Sequence, residues 1–186
     1  MLHTSHRRTA RHLRGEGDPF IDDDKTSRPP GGAHTPPSRF LLVATVHVIF
    51  EQGPDVLMLR RWQTGWADGW YSLPAGHLDG NESVRQAAAR EAYEECGVHI
   101  APTADALALA GVMHRRSDRE QIDFFFRARG WSGEPYNREP HKCDHLAWFP
   151  RQALPPRTVA YVRRALAQPD GAPWLLEHGW GPDAPD

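Results

Sequence analysis

The segment Gly76–Val98 reads GHLDGNESVRQAAAREAYEECGV and concentrates acidic side chains at regular intervals. Glu91 and Glu95 are four residues apart, with Glu94 beside them. On a helix the first two stack on one face and the third lies next to it. Like charges on adjacent turns destabilise a helix unless a cation offsets them. Hard Mg²⁺ prefers carboxylate and water oxygens and commonly bridges to substrate phosphates. Arg90 stands four residues before Glu94 and beyond Glu82 in the chain, so it can fix the preceding loop through an ion pair. Taken alone, REAYEE reads as an exposed acidic helix with ordinary surface pairs.

These residues need a helix that starts and stops in the right place. Ser83 is a helix-starting residue, and Gln86 three positions on completes a capping box. Val84, Ala87 and Ala88 supply an apolar stripe, and Gly97 is a natural terminating glycine. Around the helix, Phe40–Phe50 and Val56–Arg61 read as two arms of a hairpin across Glu51-Gln52-Gly53-Pro54. Further strands are expected over Trp70–Leu73, Ala106–His114, Ile122–Ala128 and Leu146–Phe149, and a second helix over Thr158–Ala167. Strands, helix, strands, helix predict an α/β fold, a mixed β-sheet between helices in an α/β/α sandwich.

Residues 1–37 hold few large apolar side chains, many Arg, His and Asp, and a Pro-Pro-Gly-Gly run. That composition predicts a disordered tail, followed by one domain over 38–168 and a C-terminal extension over 169–186. The 22 basic and 24 acidic residues nearly cancel, giving a net charge of −2, so a nucleic-acid partner is not expected. Cys96 and Cys143 are the only cysteines. Two thiols make neither a disulfide framework nor a Cys-based zinc site, and a cytoplasmic setting is the expectation. No apolar run is long enough for a membrane span.

The pattern G-x5-E-x7-R-E-φ-x-E-E-x-G-φ is met by Gly76, Glu82, Arg90, Glu91, Ala92, Glu94, Glu95, Gly97 and Val98. It resembles the Nudix box, the signature of Mg-dependent hydrolases of nucleoside diphosphates linked to another group. Ala92 is smaller than the Leu, Ile or Val usual there. The resemblance runs from about Phe40 to Ala167 and looks most like MutT-like nucleoside triphosphate diphosphatases. Arg60-Arg61 before the box, and Trp131-Ser132-Gly133-Glu134-Pro135 continuing to Glu139, carry that part of it.

The resemblance implies a Nudix-type sandwich in which Gly76, through its carbonyl, and Glu91, Glu94, Glu95 and Glu139 hold Mg²⁺, with Mn²⁺ as the alternative. It implies that Glu91 or Glu94 takes a proton from water, and that Glu82 and Arg90 support the loop. Arg61 resembles a phosphate-contacting arginine, His77 follows the box glycine, and Phe124 and Phe126 offer rings to a nucleobase from one side of a strand. The expected substrate is a nucleoside triphosphate, cleaved to monophosphate and pyrophosphate. The rivals are a nucleotide sugar or modified pyrimidine nucleotide, and a non-catalytic sensing module. A homodimer is compatible with this reading. Arg157 stands where MutT-like enzymes use an asparagine to read oxidised guanine, which speaks against that specificity.

Overall fold

A computed structural model describes residues 39–181. The tail expected over 1–37 lies outside them. Helix α1 spans Val84–Cys96. The Ser83 hydroxyl accepts from the Gln86 amide at 3.3 Å, and the Gln86 side chain accepts from the Ser83 amide at 2.7 Å. At the other end Gly97 takes φ 70°, a left-handed turn that glycine makes without steric cost.

The strands are β1 (Val43–Ile49), β2 (Glu51–Gln52), β3 (Asp55–Arg61), β4 (Tyr71–Ser72), β5 (Ala75–His77), β6 (Leu107–Arg116), β7 (Glu120–Ala128), β8 (Cys143–Pro150) and β9 (Trp174–His178). Helix α2, Ala160–Leu166, falls between the last two. One sheet has the order β5-β1-β7-β6-β9; the other is β2-β3-β4 with β8 paired to β3. The first is mixed: β1 runs antiparallel to β5 and parallel to β7, and β6 runs antiparallel to β7 and parallel to β9.

The hairpin expected between Phe40–Phe50 and Val56–Arg61 is corrected. Only β2 turns back on β3, with Gln52 opposite Asp55, while β1 belongs to the other sheet. The reason lies in β1 itself. Val46, His47, Val48 and Ile49 are all buried, so both faces are covered, as in a strand at the centre of a sheet. Residues 169–186, read as an extension, include β9, which lies against β6 with Leu176 opposite Met113.

Helices cover opposite faces of this sheet. Val46, Val48 and Phe126 pack with Ala88 and Ala92 of α1. Ile49, Phe125 and Met113 pack with Val162 and Ala165 of α2. That alternation along β1 and β7 makes the α/β/α layering. Both cysteines are free and buried. No helix among the described residues is long and apolar enough to cross a membrane.

Candidate active site

A cleft of about 560 Å³ opens between the two sheets. The five-stranded sheet contributes Thr45, His47, Arg115 and Gln121; the smaller sheet contributes Leu59, Arg61 and Ser72. Glu91 and Glu95 enter from α1, Tyr161 from α2, and Glu139 with Lys142 from the loop before β8.

Glu91 reaches the cleft because of Gly76. Strand β5 is the edge of its sheet, and a Cβ at Gly76 would overlap the Glu91 carboxylate. Glycine at that position opens the passage. Glu95 is tethered to the same strand: its Oε2 accepts from the Ala75 amide at 2.8 Å. Arg90 joins helix to loop. Its Nη1 donates to Glu91 Oε1 at 2.6 Å and Glu94 Oε2 at 3.1 Å; its Nη2 donates to Glu82 Oε1 at 2.8 Å and the His77 carbonyl at 2.9 Å. Glu82 Oε1 also accepts from the Asp79 amide at 3.0 Å, which closes the loop. Glu94 is half-exposed on Arg90 and does not line the cleft.

The Glu139 loop docks on the end of α1. The amides of Tyr136 and Arg138 donate to the carbonyls of Cys96 and Glu95 at 3.0 and 3.1 Å. The Arg138 guanidinium lies 4.0 Å over the Tyr93 ring and donates to the Tyr93 carbonyl at 3.2 Å. Asn137 accepts from the Glu139 amide at 3.1 Å and donates to the Cys143 carbonyl at 2.6 Å. Glu139 itself takes a 2.8 Å bond from Lys142 Nζ.

This group of carboxylates is electrostatically incomplete. Burial raises the Glu91 carboxyl, against the opposing pull of Arg90. Glu95 is pushed up to about 8, first by burial and then by the charges of Glu91 and Glu139, despite the Ala75 amide. The acidic residues also stand in the last turns of α1, at the negative end of its dipole, where no basic residue helps. Among the described residues no three His, Cys, Asp or Glu side chains close to metal-holding distance. The donor set nonetheless fits a hard divalent cation that keeps some of its waters. It is all oxygen, anionic, and destabilised in the absence of positive charge.

Arg61 lines the cleft with its guanidinium 4.9 Å from the Trp66 ring, donating to the Trp66 carbonyl at 2.9 Å and Thr64 Oγ1 at 3.0 Å. His77 lies at the exposed rim, its Nε2 2.8 Å from Arg119 Nη2. A guanidinium only donates, so that nitrogen accepts; burial and the Arg119 charge both hold the ring in its neutral form.

Phe124 and Phe126 are corrected as substrate contacts. They project to the α1 side, where Phe126 is 1 % exposed in the core and Phe124 packs against it. The cleft lies on the opposite face of β7, where Gln121 and Asp123 alternate with them. Arg157 is exposed and outside the cleft. Besides the imidazoles of His47 and His77, the rings that border the cleft are those of Trp66 and Tyr161.

Sequence reasoning missed the buried polar group behind this wall. Asp123, fully buried, accepts from Arg115 Nε at 2.7 Å and Gln121 Nε2 at 2.6 Å, with His47 Nε2 3.6 Å away. Burial alone would raise its carboxyl; His47 and Arg115 outweigh that and hold it well below the usual range. Period-two polarity in Gln121-Ile122-Asp123 was the available signal.

Fold and cleft together define a class: an α/β/α sandwich with carboxylates and an arginine converging in one cleft between its sheets. Residues 41–168 match the NUDIX domain model, and the chain belongs to that family. It is 26 % identical over 146 residues to the 8-oxo-dGDP phosphatase NUDT18 of Homo sapiens, covering 77 % of this chain and 43 % of that protein. The chain thus spans less than half the length of that curated relative. A MutT NUDIX hydrolase from Burkholderia pseudomallei superposes with a TM-score of 0.62 at 25 % identity, over 68 % of this chain and 97 % of the other. A NUDIX hydrolase from Nitrosomonas europaea gives the same score at 22 % identity, over 75 % and 80 % of the two chains, and speaks to the fold alone.

Proposed function

We propose that the chain is a Mg²⁺-dependent nucleoside triphosphate diphosphatase, releasing the monophosphate and pyrophosphate. The observation that carries this reading is the single cleft shared by Glu91, Glu95, Glu139 and the Gly76 strand with the cationic Arg61 and Lys142. Gly76, Glu91, Glu95 and Glu139 would hold the metal, with Glu94 at its outer side. When bound, the metal neutralises charge on the phosphate chain and lowers the pKa of bound water.

The chain's own groups do the rest. Arg61 has no carboxylate ion-pair partner among the described residues, so its charge is available to a phosphate oxygen. Proton acceptance goes to Glu91 over Glu94, because Glu91 borders the cleft and Glu94 does not. Arg90 occupies Glu91 Oε1, leaving Oε2 for the proton. A carboxyl raised by burial suits a base working near neutral pH. Lys142 bonds Glu139 and is placed to hold it until a cation takes its place.

A second reading is a nucleoside diphosphate split to monophosphate and phosphate. The similarity to an 8-oxo-dGDP phosphatase favours it. One assay separates them: nucleoside triphosphates, diphosphates and nucleotide sugars are incubated with Mg²⁺ or Mn²⁺ and the products resolved. Pyrophosphate supports the first reading, phosphate from a diphosphate the second, and a sugar phosphate would overturn both.

A further inference from the structure

We propose that Arg115, held in place by Asp123, reads the hydrogen-bonding edge of the substrate's base and selects guanine, with its two neighbouring acceptors, over adenine. This rests on the hydrolase reading above for the position of the phosphates.

The observations come from the inner wall of the cleft. Thr45 is 6 % exposed, His47 1 %, Ser72 2 %, Arg115 7 %, Gln121 2 % and Asp123 0 %. Buried polar groups on this scale are normally satisfied, and those left over call for an explanation. Both Asp123 oxygens are used, by Arg115 Nε and by Gln121, which also approaches Thr45 Oγ1 at 3.4 Å. Arg115 is not. Its Nη1 and Nη2 make no hydrogen bond among the described residues, and neither does either ring nitrogen of His47. Arg115 and His47 both border the cleft. An ion pair built only for stability would use its donors internally; this one keeps two in reserve beside a cavity.

Charge and shape narrow the ligand. Asp123 neutralises Arg115, so an anionic phosphate chain gains more from the unpaired Arg61. A neutral, planar group bearing acceptors suits Arg115 better. Its guanidinium carbon is 4.2 Å from the Tyr161 ring, and Tyr161 lies 6.4 Å from Trp66, itself 44 % exposed. A flat ring entering the cleft can meet Trp66, whose ring the Arg61 guanidinium approaches to 4.9 Å, while its edge meets the Arg115 fork. The fixed fork of an arginine matches the adjacent O6 and N7 acceptors of guanine, whereas adenine turns an amino donor toward it.

The test compares dGTP and dATP hydrolysis, and guanosine and adenosine binding read by tryptophan fluorescence. The proteins are wild type, Arg115→Lys, and the double variant Arg115→Met with Asp123→Asn. The double variant removes both charges together and so leaves no unpaired buried ion. Wild type should favour dGTP by about 10- to 100-fold in kcat/KM, mainly through KM. Lysine keeps the charge but loses the fork, so the preference should collapse in both variants. A wild type without preference, or a preference unchanged by Arg115→Lys, overturns the proposal. If the double variant does not fold, Arg115→Lys decides alone. Nucleoside binding distinguishes the two readings. Guanosine selectivity that vanishes in the variants upholds this inference even where no triphosphate is cleaved, and equal nucleoside binding by wild type overturns it.

Discussion

Two sets of carboxylates flank one cleft, and their surroundings push them in opposite directions. Asp123 is surrounded by His47, Arg115 and Gln121, and its carboxyl is held low. Glu95 is surrounded by burial and by other acids, and its carboxyl is driven up to about 8. The first set is complete in the polypeptide: the cation it needs is Arg115. The second is not, because Arg90 contacts Glu91 and Glu94 but makes no ion pair with Glu95. Buried charge left without a partner is expensive, and such places are where function is found. The contrast separates a carboxylate that stabilises the fold from carboxylates that await something the fold does not contain.

The largest expected effect tests the incomplete set. Glu95→Gln and Glu91→Gln should each lower kcat by about 10²- to 10⁴-fold with the melting temperature kept or raised. Turnover like wild type in either variant breaks the comparison on that side. Asp123→Asn should do the reverse, leaving Arg115 buried and unpaired at a cost of about 3–5 kcal/mol. Denaturant titration reads that loss, and an unchanged midpoint would show that Asp123 is not structural.

Gly76→Ala sharpens the point. Its methyl group would displace the Glu91 carboxylate, and a displacement of about 1 Å can cost about 10²-fold in rate. Steady-state kinetics beside a thermal melt should show the rate falling much further than stability.

A smaller effect concerns pH. An unfolded glutamate ionises near about pH 4.3, whereas Glu95 keeps its proton to about 8. Between those values the folded chain binds a proton the unfolded chain has lost. Stability therefore falls as pH rises through that window, being greatest below it. The metal-free Tm should drop across it. Saturating Mg²⁺ should flatten the drop by binding the ionised form, and Glu95→Gln should abolish it. Asp123 contributes nothing there, since its carboxylate is protonated only in stronger acid. A metal-free Tm that rises with pH would contradict the assignment of Glu95.

How much of this was legible in the sequence follows from which interactions are local. Helix α1, its capping box, its terminating glycine and the phase of Glu91 and Glu95 depend on residues within a few positions of one another, so spacing was sufficient. The placement of β1 was not legible in that way, because its partners β5 and β7 are distant and the nearer β3 looked like a hairpin arm. Alternation along β7 correctly put Phe124 and Phe126 on one side. Which side faced the cleft depended on where α1 and α2 packed, and the polar side proved to be that of Gln121 and Asp123. The wall of His47, Arg115 and Asp123 is drawn from β1, β6 and β7, and no local pattern brings those together. Glu139 was singled out through a string of residues, and only the fold shows how its loop reaches α1.

That docking has a dynamic consequence. The final carbonyls of a helix have no partners within it. In α1 the carbonyls of Glu95 and Cys96 are taken up by the amides of the segment that bears Glu139, and the Tyr93 carbonyl, already bonded by the Gly97 amide, also accepts from Arg138. Fraying of the helix end and release of the loop are thus one opening event rather than two. Amide hydrogen exchange at Tyr136 and Arg138 should report a common opening free energy, one that ligand binding raises together. The C-terminal turn of the helix would then breathe in step with Glu139, so the cluster assembles or comes apart as a unit.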